Sequence, residues 1–276
     1  MRNQLLHVYR NTPFGRETLL QSAYFCRQYA GLSLAIYVPH HPRFEMRFES
    51  GDVLVFLDKS YLLAPHSARE HASRILDEVG VEHEFLSATD EAAQELPVLP
   101  TDFKYMACPR VVSQQSHRIG LGHIGPKVRS IVQHAPFPVL IPSSNYKPWR
   151  HVAIFYGPTD LGIKTAELGI SVARIAGVPF TIFTQLDGIS RQECERRLAQ
   201  AGLLERIDNT AGRWVVFERG TFEENLFEVP HDALVVVGAG AGPLLKELVF
   251  GSHLEKIQSF LPNPLLVTGP HWHASI

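Results

Sequence analysis

The stretch GPKVRSIVQHAPFPVLIP, residues 125–142, has a counterpart near the end of the chain in GSHLEKIQSFLPNPLLVT, residues 251–268. In both stretches an opening glycine lies thirteen residues before a proline, and an isoleucine takes the same place between them. The matched residues are Gly125 and Gly251, Ile131 and Ile257, and Pro138 and Pro264. Matches at fixed spacing indicate an internal duplication, so the chain is predicted to contain two copies of one unit.

The beginnings of the two copies are also alike. In each, a His-Val pair is expected to begin a strand, a glycine and a threonine lead into an apolar helix, and an Ala-Gly pair ends that helix. These features are His7-Val8, Gly15, Thr18 and Ala30-Gly31 in the first copy, and His151-Val152, Gly162, Thr165 and Ala176-Gly177 in the second. A β-branched or aromatic run follows in both, LSLAIYV at 32–38 and PFTIFTQL at 179–186.

The order of elements within one copy predicts the fold class. The second copy contains a strand, helix, strand, helix, strand, strand, helix and strand, in the segments HVAIFY, KTAELGISVARIA, FTIFTQ, RQECERRLAQAG, RWVVFE, ALVVVG, SHLEKIQSFL and PLLVT. Short β-branched strands that alternate with helices are typical of right-handed βαβ crossovers and of a parallel sheet with helices on both faces. We therefore predict an α/β protein with two tandem, doubly wound, Rossmann-like parallel sheets.

The length of the chain also indicates two domains. A chain of 276 residues is longer than a single hydrophobic core usually supports. The polar stretch SSNYKPWR, residues 143–150, is predicted to be a linker, which gives a first domain at 1–146 and a second at 150–276. The first domain carries an additional segment at about 41–64 with the strand-like run GDVLVFLD. This insert is expected to cap a sheet edge or an interface.

Composition and charge exclude several classes of protein. Hydrophobic residues make up 45% and charged residues 20%, as in an ordinary globular protein. The net charge of −2 offers no basic field for nucleic acid or an anionic membrane, and no apolar run reaches the roughly 18–20 residues of a spanning helix. The N-terminal stretch lacks the apolar core of a signal peptide, and Cys26, Cys108 and Cys194 are odd in number and far apart. We therefore expect reduced, buried thiols in a cytoplasmic protein that binds neither nucleic acid nor membranes.

The glycine-rich run VVVGAGAG, residues 235–242, raises the question of a phosphate site. The P-loop pattern is absent, and a dinucleotide fingerprint is disfavoured because Pro243 stands at its third glycine. A third interpretation combines these glycines with Gly251-Ser252, which opens a predicted helix. Glycine lets backbone amides turn toward an anion, and the first amides of a helix are unpaired and electropositive. Two such turns at the carboxyl ends of parallel strands could close on one polyphosphate.

These two glycine clusters resemble the signature of the universal stress protein family, which is Gly, two residues, Gly, nine residues, Gly and then Ser or Thr. The end pattern of the family also matches GSHLEKI followed by PLLVT, and the resemblance covers essentially the whole chain, most strongly over 232–268. It implies five-stranded units, a regulatory or stress-protective role, and an adenine nucleotide (ATP, ADP or AMP, with magnesium as a companion ion) as ligand. Two copies in one chain resemble a fused dimer, or pseudo-dimer, joined through PVLIP and PLLVT.

The resemblance implies a set of site residues in the second copy. Backbone amides and one hydroxyl would contact the phosphates, from Gly238, Gly240, Gly242, Gly251 and Ser252. The second signature glycine falls on Ala241, so the loop must be slightly rebuilt around it. The nucleoside-binding aspartate of the family falls on Tyr156 or Gly157, with Asp160 as the nearest acidic substitute, and the adenine is expected at the backbone of Thr184.

The first copy departs further from the family pattern. Asn11 stands at the aspartate position, and Val112 and Gln115 stand where the first two glycines belong. The Gly-Ser pair has become Gly125-Pro126, and proline supplies neither an N–H nor a hydroxyl to a phosphate. The first copy is therefore predicted to be a degenerate one that binds no nucleotide in the manner of the family.

Simpler explanations stay open beside the nucleotide site. Ser252 and Glu255 form a capping-box pattern, and the GAGAG run could serve close packing of a helix on the sheet. A protein with this fold could bind no nucleotide and act through a protein partner or as a homo-oligomer. The third alternative is an enzyme, either a nucleotide hydrolase or a transferase, although the sequence nominates no acid–base pair and no metal-ligand cluster.

Overall fold

A computed structural model describes residues 1–86, 96–110, 124–186, 188–239 and 252–273. The first half contains β1 Arg2–Val8, α1 Pro13–Gln28, β2 Ser33–Tyr37, β3 Arg43–Phe48, β4 Gly51–Phe56, α2 Pro65–Val79, β5 His83–Leu86, β6 Val98–Leu99, β7 Phe103–Ala107, α3 Pro126–His134 and β8 Val139–Ile141. The second contains β9 His151–Phe155, α4 Asp160–Ala176, β10 Phe180–Gln185, α5 Arg191–Gln200, α6 Leu203–Asp208, β11 Gly212–Phe217, α7 Phe222–Asn225, β12 Ala233–Gly238, α8 Ser252–Phe260 and β13 Leu265–Thr268. Short 3-10 helices lie at Lys59–Leu62 and Leu226–Glu228.

Ten of these strands form one continuous sheet in the order β11-β10-β9-β12-β13-β8-β7-β1-β2-β5. The order is symmetric about its centre, with five strands from each half of the chain. All neighbours are parallel except β13 and β8, which are antiparallel. Buried side chains cover both faces in two clusters, one shared with α3, α8 and the β3–β4 hairpin and the other with α1, α2, α4 and α5. The predicted α/β class, doubly wound and with five parallel strands in each half, is confirmed.

The two halves are joined through their last strands. Leu140 of β8 pairs with Leu266 of β13, and Val139 pairs with Val267. Leu140 and Leu266 are 126 residues apart, the spacing between Gly125 and Gly251, so they are the same residue of the duplicated unit. A strand that pairs with its own copy at the matching residue lies on a local two-fold axis. The two halves of the sheet are therefore arranged as the predicted pseudo-dimer, joined through the strands of PVLIP and PLLVT.

The strand ends correct one part of the predicted repeat. The His7-Val8 pair was expected to begin a strand, but β1 begins at Arg2 and His7 lies near its end. The caps of the following helices set the true alignment, because the Thr12 hydroxyl accepts from Gly15 N and the Thr159 hydroxyl accepts from Gly162 N. This spacing of 147 residues matches His7 with Ile154. The two His-Val pairs are therefore not equivalent, whereas the glycine and threonine of the helix start and the strand that follows the helix keep this spacing.

The segment at 41–64 forms a small second sheet. β3 and β4 are an antiparallel hairpin, and β6 adds to β3 in parallel. Apolar residues of the hairpin, among them Phe44, Met46 and Val55, share a buried cluster with α3. Ser50 at the hairpin turn donates to the carbonyl oxygen of His134, the last residue of α3, at 2.9 Å. The hairpin thus covers α3 and forms none of the strands of the ten-stranded sheet.

Arg110 ties the first half to the end of α8 in the second. Its Nη1 donates to the carbonyl oxygen of Gln258 at 2.7 Å, and its Nη2 donates to those of Leu261 and Asn263 at 3.2 and 3.3 Å. The last carbonyls of a helix lack partners within it and carry negative partial charge, so a guanidinium satisfies them well. Burial lowers the pKa of Arg110 to about 10, which still leaves the side chain charged at neutral pH.

Arg110→Met is expected to lower the free energy of unfolding by about 2 kcal/mol, because three carbonyl oxygens lose a charged donor while the aliphatic volume is kept. Urea unfolding followed by circular dichroism measures the change. Arg47→Met is the control, since the Arg47 side chain is 65% exposed and pairs only with the nearby Glu45, and it should alter stability by less than about 0.5 kcal/mol. Equal effects of the two substitutions would contradict the role of Arg110.

Candidate functional site

The second half has a crevice at the point where its strand order reverses. The chain leaves β9 through α4 toward β10 on one side, and leaves β12 through α8 toward β13 on the other. The carboxyl ends of β9 and β12 are neighbours, with Phe155 paired to Val237. Gly238 follows Val237 directly, and Gly157 follows Phe155 after one intervening residue, Tyr156. Such a switch point is where open α/β sheets bind ligands.

The turn from β9 into α4 is built around backbone contacts. Thr159 caps α4 through its hydroxyl, and its own N–H donates to the Gly157 carbonyl oxygen at 2.8 Å. That carbonyl oxygen presses on Gly162 so closely that a Cβ at residue 162 would overlap it. At Gly157 itself, none of the described residues beyond its chain neighbours lies within 4 Å of the place where a Cβ would stand. Gly157 thus borders the crevice without being required by packing.

Two buried threonines form the floor beneath Gly238. The hydroxyls of Thr165 and Thr268 lie 2.7 Å apart, and both residues are fully buried. A Cβ at Gly238 would stand 3.1 Å from Thr165 Oγ1 and 3.4 Å from Leu161 Cγ, which is tighter than most real contacts. In the sequence Thr165 stands out only as part of the repeat, and nothing there marks Thr268. The recurrence of threonine at 18 and 165 was the one available signal.

Asp160 points away from the neighbouring glycines. It is the first residue of α4, and its carboxylate accepts from Arg197 Nη1 of α5 at 3.1 Å. Its side chain is 89% exposed. The negative charge stabilises the positive end of the helix dipole. The carboxylate is therefore already engaged on the α5 side of the crevice.

Thr184 lies inside β10 rather than at an open edge. It pairs with Val216 of β11, and its buried hydroxyl accepts from the Trp214 indole N–H at 3.0 Å. One residue further along, Gln185 accepts from the Asn225 amide at 2.8 Å. α7 therefore reaches over the carboxyl end of β10, a contact that sequence reasoning did not foresee.

Aromatic side chains gather at the carboxyl ends of β9, β10 and β11. Phe183 stacks on Phe155 with ring centroids 5.7 Å apart, and on Phe217 at 5.8 Å. Phe222 of α7 meets Phe155 edge to face at 5.7 Å. Phe155 and Phe217 stay half-buried, while Phe183 and Phe222 are buried. The sheet face toward α7 and α8 is thus an apolar, planar surface beside the glycines.

The remaining predicted site residues belong to the loop that leads into α8. Gly240, Gly242 and Gly251 lie outside the described residues. Ser252 is the first residue of α8, described by its backbone only, and the Glu255 side chain of the predicted capping box is likewise outside the description. The structure therefore places Gly157 and Gly238 at the carboxyl ends of neighbouring strands and leaves Asp160 and Thr184 with other partners.

The corresponding crevice of the first half is filled by its own side chains. Arg10 stands at the position of Gly157, and its guanidinium lies 3.5 Å from the Asp58 carboxylate and 5.3 Å from the Tyr61 ring centre. Tyr61 is only 3% exposed, and burial raises its pKa. Cys108 is buried at the end of β7, and burial raises its pKa to about 12.

Strand register also corrects the first-half glycine alignment. Met106 of β7 pairs with Leu6 on one side and Val139 on the other, and Val235 of β12 pairs in the same way with Ala153 and Leu265. Met106 and Val235 are therefore equivalent residues, and they are 129 positions apart in the sequence. Pro109, rather than the predicted Val112, therefore takes the place of Gly238. The physical reason is that the segment from Pro109 to Gly125 is three residues longer than the corresponding segment from Gly238 to Gly251. Val112 and Gln115 lie outside the described residues.

The described ranges contain all three cysteines and side chains of the types that bind metal ions. Cys26, Cys108 and Cys194 are all buried and unpaired, as expected. Within those ranges no three His, Cys, Asp or Glu side chains stand close enough to hold a metal ion. None of the helices described is both long and apolar enough to cross a membrane.

Comparison with known proteins identifies the fold. No family model matches the sequence, and a comparison with curated proteins finds no match. Among solved structures, a universal stress protein from Archaeoglobus fulgidus DSM 4304 has a TM-score of 0.63 at 12% identity, covering 97% of this chain and 98% of that one. A functionally unknown protein from Pseudomonas aeruginosa PAO1 has a TM-score of 0.55 at 13% identity, covering 98% and 93%. The chain therefore has the fold of universal stress proteins over its whole length.

The same fold serves other proteins. The cytoplasmic domain of a prokaryotic cation chloride cotransporter has a TM-score of 0.50 at 12% identity, covering 96% of this chain and 94% of that one. At such identities the likeness concerns the fold alone, and function must be argued from the site.

Proposed function

We propose that this chain is a cytoplasmic tandem universal stress protein that binds an adenine nucleotide in its second half and has a regulatory or stress-protective role. The observation that supports this most is the position of Gly157 and Gly238, which follow the neighbouring carboxyl ends of β9 and β12 at the switch point of the sheet. Backbone at both places can approach a ligand without Cβ obstruction. The start of α8 at Ser252 adds a helix N-terminus that follows the same strand.

The phosphates would be held by backbone amides. Gly238 ends β12, and the loop through Gly240, Gly242 and Gly251 would lead the chain to the unpaired amides at the start of α8. The Ser252 hydroxyl would add one more donor. Magnesium would then be held by the phosphates and water more than by protein carboxylates, since Mg²⁺ keeps much of its hydration when it binds nucleotides.

The two residues that the resemblance implies for the nucleoside already have other partners. Asp160 would have to leave Arg197 to reach a ribose, and Thr184 already accepts from Trp214. The half-buried faces of Phe155 and Phe217 are better placed to stack on a purine, because aromatic rings favour offset stacking. We therefore assign the base to this aromatic surface and the phosphates to the glycines.

A second candidate function is that of an interaction protein without nucleotide. The closed first-half crevice and the engaged Asp160 favour it, since both remove groups that a nucleotide would use. Such a protein would act through a partner or as a homo-oligomer. A nucleotide hydrolase or transferase is the third candidate, and release of intact nucleotide after incubation with purified protein would argue against it.

The thermal unfolding of the whole chain tests nucleotide binding. ATP, ADP or AMP at tenfold its dissociation constant, with magnesium, is expected to stabilise the protein by about 1.4 kcal/mol. Ser252→Pro should weaken binding at least tenfold, because proline removes an amide and the hydroxyl while fitting a first helical position, as Pro126 does in α3. Titration calorimetry gives the affinities.

Arg191→Pro is the matched control for that substitution. It places proline at the first position of α5, which has no part in the proposed site. Its nucleotide affinity should equal that of the unchanged protein. The proposal fails if none of the three nucleotides binds, and the phosphate assignment fails if Ser252→Pro binds as tightly as Arg191→Pro.

A further inference from the structure

The segment that links the two halves fills a groove beside α1. Trp149 is 1% exposed, and its ring meets Tyr24 of α1 edge to face with centroids 5.6 Å apart. The Tyr24 hydroxyl donates to the Trp149 carbonyl oxygen at 2.8 Å, and the Gln21 amide donates to that of Lys147. Tyr146 packs against the other side of Tyr24 at 6.1 Å. One bicyclic side chain and its neighbours thus seal this groove.

The groove related to it by the local two-fold axis runs along α4, and none of the described residues fills it. The position of Tyr24 is taken by Ser171, 147 residues later, and that of Tyr146 is taken by Trp272, 126 residues later. A cavity of about 350 Å³ lies between Ser171, Trp272 and the first half. Ile175 at its rim is 41% exposed. The replacement of tyrosine by serine on α4 therefore leaves a space that is closed on the α1 side.

The wall from the first half is aromatic. Tyr29 and Tyr105 join through their hydroxyls at 3.1 Å and lie 5.6 Å apart edge to face. Lys104 Nζ lies 5.8 Å from the Tyr29 ring centre and donates to the neutral Asn3 side-chain oxygen at 3.2 Å. Planar rings favour edge and face contacts of this kind, so the wall suits a flat aromatic guest.

The charges that line the cavity favour an anionic guest. Arg206 of α6 is half-buried at the boundary between this cavity and one of about 520 Å³ beside the end of α4. Neither Arg206 nor Lys104 has an ion pair within the described part of the chain, and Glu167 is the one acidic side chain on the lining. A half-buried guanidinium without a carboxylate partner is well suited to bind one from a ligand.

We propose that this cavity binds a planar aromatic carboxylate about the size of an indole ring. The ring would lie against Tyr29, Tyr105 and Ser171, in the place that corresponds to Trp149 on the other side of the axis. The carboxylate would pair with Arg206. The site is separate from the nucleotide crevice, because its lining comes from the start of β7, the outer face of α4 and α6 rather than from the carboxyl ends of β9 and β12.

Titration calorimetry with indole-3-acetate tests the proposal on the full chain. We expect saturable one-to-one binding, with indole at least tenfold weaker because it lacks the carboxylate. Ser171→Tyr should reduce affinity at least tenfold, because it places on α4 the side chain that α1 carries. Arg206→Gln should reduce the affinity for indole-3-acetate to that for indole, and leave indole itself unchanged.

Arg174→Gln is the matched control, since Arg174 is exposed on α4 and lines the neighbouring cavity only. It should bind like the unchanged protein. Thermal unfolding without ligand verifies that each variant is folded. Absence of binding to the unchanged protein overturns the proposal, as does full affinity in Ser171→Tyr, and an unchanged affinity in Arg206→Gln overturns the carboxylate assignment. Nucleotide affinity should be the same in all four proteins, so the two sites are judged separately.

Discussion

Acidification below pH 6.5 is expected to reduce the free energy of unfolding by roughly 1.4 kcal/mol per pH unit through His7 alone. Burial lowers the pKa of His7 to about 3 from its ordinary 6.5. Between pH 6.5 and about 3, His7 is therefore protonated in the unfolded chain and neutral in the folded chain. Stability is complete above about pH 6.5 and falls as the pH drops toward 3, a loss of about 3 kcal/mol near pH 4.3.

The hydrogen bonds around His7 explain why the folded protein keeps this side chain neutral. Ser22 donates its hydroxyl proton to the Thr18 carbonyl oxygen, so its oxygen must accept from His7 Nδ1 at 2.9 Å. The other ring nitrogen, Nε2, is buried and has no hydrogen-bond partner among the described residues. Protonation at Nε2 would create a charged, unpaired N–H in an apolar core.

The second half supplies the control for this prediction. At the positions of His7 and Ser22 it has Ile154 and Gly169, and a Cβ on Gly169 would stand 2.5 Å from Ile154 Cγ1. The double substitution His7→Ile with Ser22→Gly should therefore pack well and lose the acid-sensitive contribution. Urea unfolding at a series of pH values measures it. An identical pH slope in the double variant would show that another group is responsible.

Gly162→Ala is expected to lower the free energy of unfolding by about 3 kcal/mol, at the upper end of overpacking effects. The added Cβ would overlap the Gly157 carbonyl oxygen, which is backbone and cannot rotate away as a side chain can. The gain in helix propensity, at most about 1 kcal/mol, offsets only part of this cost. Gly15 in the first half meets the Arg10 carbonyl oxygen in the same way, which explains why this glycine is repeated.

Gly157→Ala is the matched control, because no atom of the described residues, apart from the two chain neighbours, lies within 4 Å of the Cβ that it would add. It should change stability by less than about 0.5 kcal/mol. Thermal and urea unfolding of both variants give the comparison. If the two variants were equally stable, the close contact at the start of α4 would not be the reason for Gly162.

Much of the fold could be predicted from local pattern. Each strand predicted in the second half is present within one or two residues, because short β-branched runs between glycine and proline form strands in almost any setting. α6 and α7 were not predicted, since each is shorter than seven residues and carries no periodic apolar face. The domain bounds at 1–146 and 150–276 stay predictions, as one sheet runs through both halves.

The candidate site was predictable only in part. Gly157 and Gly238 lie at the same edge of the sheet because neighbouring parallel strands align their carboxyl ends. The partner of Asp160 was not predictable, since Arg197 is far along the chain and approaches only when α5 packs beside α4. The same holds for the hydroxyl pair of Thr165 and Thr268, which join two elements 103 residues apart.

The sequence by itself determined the duplicated α/β unit and the identity of the joining strands, because hydrophobic periodicity and repeat spacing are local properties of the chain. Only the tertiary structure decided that two related positions have different surroundings. His7 is a buried titratable group where the second half has the apolar Ile154, and Trp149 fills a groove whose counterpart beside Ser171 is a cavity between the described residues. Such differences depend on which distant side chains meet after the sheet has formed, and no spacing within one copy records them.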